Sequence, residues 1–323
     1  MSTRTRGTVP AASVKPASAG QRRKAEAQAR AAAARRAARR RTRIKWTGVA
    51  VAAAALISGV ILVGTRSSSA PPSTASAPAV GGDLHTVFVR GNALYMGGHD
   101  AVAVSHDAGR TFTSVSSLAG ADAMGWASSA NTVLMGGHPG LYRSTDAGAT
   151  FTRVTGAGAV LDVHALGGTG NTLYLASPSA GLFASTDGGT SWQVRNAQVG
   201  RSFMGTILTD PANPARLIAP DMSAGLSTSS DGGRNWTALG GPAGAMAVTW
   251  SPTNTRQIVA VGMNGGALSN NGGASWQPVT VPAGTSALSY DPTGRTLYAG
   301  ALNGTQAHTY RSTDNGHTWT PTA

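Results

Sequence analysis

The sequence predicts an all-β protein, a six-bladed β-propeller of four-stranded blades, and three observations carry the prediction. First, an eight-residue phrase of the form Ser-x-Asp-x-Gly-x-x-aromatic occurs six times, at Ser105–Phe112, Ser144–Phe151, Ser185–Trp192, Ser229–Trp236, Ser269–Trp276 and Ser312–Trp319. Second, its acidic position falls at Asp107, Asp146, Asp187, Asp231, Asn271 and Asp314, in steps of 39, 41, 44, 40 and 43 residues. A period near forty points to stacked units that bury their faces against one another. Third, each repeat holds four short β patterns separated by turn residues. In the third repeat they are Val160–Leu166, Asn171–Ala176, Gly181–Ser185 and Ser191–Arg195.

Each position of the phrase has a mechanical reason. A carboxylate accepts backbone N–H groups across a tight turn, a glycine adopts positive φ without a Cβ clash, and an aromatic ring fills the space between neighbouring sheets. On these residues the region 84–323 resembles the Asp-box, or bacterial neuraminidase repeat, superfamily, which includes sialidases, sortilin-type ectodomains and glycosylhydrolase-like bacterial proteins. The resemblance implies a propeller with a box between the third and fourth strands of each blade. It implies no chemistry, because unrelated activities share this scaffold. The Arg-Ile-Pro stretch and catalytic glutamate of sialidases are missing: Glu26 is the last glutamate in the chain.

The formal charge of +13 belongs to one end of the chain. Residues 1–45 hold eleven Arg and three Lys against Glu26, whereas twelve Arg and twelve Asp cancel from Arg66 onward. Residues 46–65 are uncharged and mostly apolar, long enough to span a bilayer as one helix. The basic residues before this segment place the N-terminus in the cytoplasm and the repeats outside. A cleaved signal peptide competes with this reading, since Ala75-Ser76-Ala77 has the small-x-small form of a cleavage site. The expected organisation is thus a basic cytoplasmic tail (1–45), a transmembrane signal anchor in a bacterial cytoplasmic membrane (46–65), a Ser/Pro/Ala linker (66–82) and an exported propeller (83–323). In this setting the tail touches anionic lipid, not nucleic acid.

Candidate chemistry gathers in the first three repeats. Eight residues before the box aspartate stand His99 and His138; near the start of the first strand stand His85, Met124 and His164. Two residues before each of the latter three comes an aspartate, Asp83, Asp122 and Asp162. Residues i and i+2 of a strand face one way, so each aspartate is expected beside its own His or Met, at one mouth of a central channel. Imidazole with thioether, in a chain without cysteine, suits copper, and the histidines alone suit zinc. The aspartates serve as ligands or orient the rings. The bland alternative is that similar repeats inherited similar turn and core residues. The expected role is a binding or scaffold module for an extracytoplasmic protein or glycan. The enzymatic alternative is a glycoside hydrolase working through a pair of these aspartates at the same mouth.

Overall fold

The computed structural model describes residues 74–156 and 159–323. The expected cytoplasmic tail, membrane anchor and first part of the linker lie outside these residues. Among the described residues no helix is long and apolar enough to cross a membrane, and a single 3-10 turn, Ser116–Leu118, interrupts an otherwise all-β chain.

Strands fall into consecutive antiparallel meanders of four. Meander one comprises Leu84–Arg90, Ala93–Gly98, Val102–Ser105 and Phe112–Ser114, and meander two comprises Asp122–Ser129, Thr132–His138, Gly140–Ser144 and Thr152–Arg153. Meander three is Ala165–Thr169, Thr172–Ser177, Gly181–Ser185 and Gln193–Asn196; meander four is Gly205–Thr209, Leu217–Asp221, Gly225–Ser229 and Thr237–Gly240. Meander five is Ala245–Ser251, Asn254–Gly262, Gly265–Ser269 and Gln277–Val279; meander six is Thr285–Tyr290, Leu297–Asn303, Gln306–Ser312 and Thr320–Pro321. The first strand of meander three begins at Ala165 rather than Val160, because the preceding residues run irregularly into the site described below.

Each first strand touches the first strand of the next meander, and that of meander six touches that of meander one. Glycines stand where these backbones approach most closely. A Cβ at Gly167 would lie 1.9 Å from the carbonyl oxygen of Ile207. Here the first strands of meanders three and four pair directly in parallel, Ala165 opposite Gly205 and Gly167 opposite Ile207, fusing two meanders into one eight-stranded sheet. Inner strands are accordingly buried on both faces, as Asp122–Trp126 and Ala127 are, while fourth strands such as Thr152–Arg153 are exposed.

The six phrases fold alike. In the first, Ser105 Oγ donates to Asp107 Oδ1 at 2.7 Å and accepts from the Gly109 N–H at 2.8 Å. Asp107 Oδ1 accepts from the Thr111 N–H at 2.9 Å and Oδ2 from the Thr111 hydroxyl at 2.6 Å. Asn271 keeps the turn with one bond reversed: Oδ1 accepts from the Ser275 N–H and Nδ2 donates to Ser275 Oγ. The glycine closing the turn has φ of +86° at Gly109 and +100° at Gly148, which only glycine adopts without strain. The terminal aromatic then enters the core between its own meander and the preceding one. Phe151 packs with Tyr95 and Trp126, Trp236 with Tyr174 and Phe203, and Phe112 with Tyr298 and Ala287 of meander six.

One domain boundary is corrected. The linker, expected to run to residue 82 because Ser, Pro and Ala bury little, joins the fold from residue 74. Thr74–Ala75 adds a fifth strand to meander one by pairing with Phe112–Thr113, and Ala79 bridges to Gln306 of meander six. The Ala307 N–H donates to the Pro78 carbonyl, and Val80 is fully buried among Leu84, Ala287 and Tyr298. The buried Pro78 and Val80, with backbone bonds on both sides, hold this segment in place.

Candidate metal centre

The side chains at issue are delivered by irregularities at the starts of first strands. In meander one the register slips between Leu84 and Thr86, leaving His85 as the extra residue of a bulge. The same slip occurs between Ala123 and Gly125, between Ala245 and Ala247, and between Thr285 and Ala287, singling out Met124, Met246 and Ser286. A bulge bends the strand and re-aims the extra side chain. All four of these residues line one cavity of about 350 Å³, with Asp83, Met204 and Met222.

The histidines and aspartates form two neighbouring clusters rather than one shared centre. In the first, His85 Nε2 lies 3.2 Å from Asp122 Oδ1, and His99 Nδ1 lies 3.4 Å from Asp122 Oδ2. Asp83 completes it, offering an oxygen within 4.8 Å of His85 and His99. In the second, His138 Nε2 and His164 Nε2 are 3.2 Å apart, and Asp162 Oδ1 stands 3.4 Å from the one and 3.1 Å from the other. The i, i+2 expectation therefore holds for Asp83 with His85 and for Asp162 with His164. It fails for Asp122 and Met124: the carboxylate serves the histidines of meander one, while the bulge sends the thioether to the cavity. Asp122 and His138 are directly paired across their own sheet, yet each joins a cluster with a different neighbouring meander.

The His138 and His164 rings share a hydrogen bond, but other atoms in these clusters are close without one. His85 Nε2, Asp122 Oδ1 and Asp162 Oδ1 are buried and have no hydrogen-bond partner of acceptable geometry. Buried polar atoms are rarely left so, and each cluster holds at least one beside other donor atoms, as the ligands of a cation would be disposed. The triangle of His138 Nε2, His164 Nε2 and Asp162 Oδ1 is close to equilateral, with sides of 3.2, 3.4 and 3.1 Å. Such a triangle is one face of a tetrahedron whose centre lies about 2.0 Å from each corner, the bond length of zinc to nitrogen or carboxylate oxygen. Burial pushes the His164 imidazole below the usual histidine range; Asp162 and Asp122 oppose that shift, while His138 and His85 add to it. The ring is thus held in the neutral form that a metal requires.

Other carboxylates near the mouth are differently committed. Asp221 accepts from the hydroxyls of Ser202, Ser223 and Ser227 at 2.7, 2.6 and 3.0 Å. The box residues Asp107, Asp146, Asp187, Asp231, Asn271 and Asp314 are consumed by their own turns and reach neither cluster.

Sheets of this form, with first strands in a closed cycle, define a β-propeller, and solved structures of propeller proteins are what this chain is similar to. One is the GH74 xyloglucanase from Xanthomonas campestris, with a TM-score of 0.51 and 20% identity over 78% of this chain and 47% of that one. Another is the nidogen/laminin complex, with a TM-score of 0.54 and 14% identity over 71% of this chain and 92% of that one. YCF48 bound to D1 peptide follows at a TM-score of 0.48 and 16% identity, covering 78% of this chain and 86% of that one. The chain spans less than half the length of the GH74 structures it matches. No protein-family model matches it, and no curated protein does. At these identities the likeness is one of fold.

Proposed function

We propose that this chain is a six-bladed propeller of the Asp-box type, anchored in the bacterial cytoplasmic membrane through residues 46–65, whose exported face binds a divalent transition metal through His138, Asp162 and His164. It acts there as a binding or scaffold module. The observation that carries the reading is the near-equilateral triangle of donor atoms, in which the buried Asp162 Oδ1 has no hydrogen-bond partner. His85, His99, Asp83 and Asp122 supply a second, adjoining donor set of the same chemistry. Two imidazoles and one carboxylate leave a fourth tetrahedral position open, so a bound zinc or copper(II) would offer that position to a donor group of a partner protein or glycan. The glycosidase alternative has less support. Asp122 and Asp162 are each shared between two histidines and Asp221 is engaged by three serines, which leaves no free pair of carboxylates among them.

The test is equilibrium dialysis of the tag-free full chain in detergent against zinc and copper(II), with elemental analysis. Stoichiometric zinc that is lost in His138→Ala/His164→Ala, but kept at that centre in His85→Ala/His99→Ala, is the expected result. Binding that neither double variant alters, or no binding at all, would return the histidines to inherited turn residues. Glycoside turnover abolished by Asp122→Asn without metal dependence would favour the hydrolase.

A further inference from the structure

We propose that the cavity between the first strands is a separate site for a soft monovalent cation of the copper(I) kind, held by thioethers. Seven methionines lie among the described residues, and they divide sharply. Met96 and Met135 are fully buried core residues at 0% exposure. Met124, Met204, Met222 and Met246, from three meanders and the loops leading into them, all line the one cavity beside His85. The seventh, Met263, is 72% exposed, and its thioether lies over Gly244, two residues before Met246.

Methionine is commonly a filler of irregular gaps, but here the gap is not filled. About 350 Å³ stays open between the thioethers, enough for an ion and its remaining ligands. Met222 and Met263 also spend apolar surface on solvent, 41% and 72% exposed, where a core role would bury it. Two of the lining methionines are the extra residues of strand bulges, in meanders two and five, so the backbone departs from regular pairing to aim them inward.

Thioether donors select copper(I) over hard divalent ions, and the chain has no thiolate to compete for it. Asp83 and His85 line the cavity and also belong to a His/Asp cluster. The mouth thus presents two donor sets of different softness that meet at the Asp83 carboxylate and the His85 imidazole. This proposal does not depend on the His138 centre being a metal site.

Silver(I) is the probe, being soft, monovalent and inert to redox exchange under these conditions. The full chain, labelled at its methionine methyl carbons and held in detergent in chloride-free buffer, is titrated with silver nitrate and read by NMR. The expected result is that Met124, Met204 and Met246 methyl signals shift together and saturate at one equivalent, while those of Met96 and Met135 stay in place. No shift, or shifts confined to the exposed Met222 and Met263, would overturn the proposal. The volume-conserving Met124→Leu/Met246→Leu variant is expected to weaken silver binding by at least about tenfold and to leave zinc binding unchanged. His138→Ala/His164→Ala should do the reverse, so that failure of one site is distinguishable from failure of the other.

Discussion

At the scale of single residues, the box carboxylates show how a charge contributes without a counter-charge. Asp314 is held at a pKa of about 2 by hydrogen bonds from Ser312 and Thr318, and Asp231 at about 2 by the backbone and side chain of Asn235. A carboxylate bonded in its ionised form has a folded-state pKa below its unfolded value. The unfolded chain then binds more protons in the intervening pH range, so stability is fully present above the unfolded value and is lost as pH falls toward the folded one. The melting temperature is therefore expected to fall steeply from about pH 4 to about pH 2. Asn271, which builds the same turn without charge, supplies the control. Asp314→Asn should keep the fold and make the acid limb shallower, and an unchanged limb in a pH series of thermal melts would count against this account. The box chemistry was legible in the sequence because all its partners lie within four positions of one another. The partners of Asp122 lie 37 and 23 positions away, and no local pattern pointed to them.

At the scale of elements, the first strands do two things at once. Glycines such as Gly125 and Gly167 let neighbouring backbones close on one another, and bulges turn His85, Met124 and Met246 out of register into the cavity. Strict alternation, which paired each aspartate with the residue two ahead, has no means of anticipating a bulge. The extra residue is set by what the adjoining strand must accommodate. Gly167 is where the approach is tightest. Replacing it with Ala would drive a Cβ against the Ile207 carbonyl in the parallel pair that fuses two meanders. Overpacking at a buried site costs about 1–3 kcal/mol, and occasionally more. Gly167→Ala is expected at or above the top of that range in chemical denaturation. Loss of less than about 0.5 kcal/mol, the size of an ordinary surface change, would mean that the strands can move apart freely.

For the molecule as a whole, the question is how the cycle of meanders closes. Meanders one and six meet through first-strand packing and through Phe112, which sits against Tyr298 and Ala287. Thr322 adds a hydroxyl bond to the Gly109 carbonyl at 2.7 Å. Residues 74–80 tie the junction from outside, pairing with meander one at Thr74–Ala75 and bridging to meander six at Ala79. A chain shortened to begin at residue 70 is expected to melt like the same sheets in the full chain. One beginning at residue 81 loses the buried Val80, the bond from the Asp100 N–H to its carbonyl and the bond from the Ala307 N–H to the Pro78 carbonyl, and should be less stable by several kcal/mol. Equal melting temperatures for the two would show that the strap contributes nothing to closure.

Repeat period, four strands per repeat, the turn chemistry of the boxes and the location of positive charge are properties of short windows, and all were readable in the chain order alone. The candidate residues were found the same way, His99 and His138 by standing eight residues before a box aspartate and His85 and His164 by standing 22 and 23 before one. Their grouping was not. Whether the four histidines make one centre, two or none depends on how adjacent meanders are rotated and where strands bulge, and these follow from side-chain packing between segments some forty residues apart. The linker carries the same lesson. Its composition reads as a stalk, but unsatisfied strand edges of meanders one and six offered its backbone partners. Hydrogen-bonding demand at an edge belongs to the folded molecule and appears nowhere in the residues that meet it.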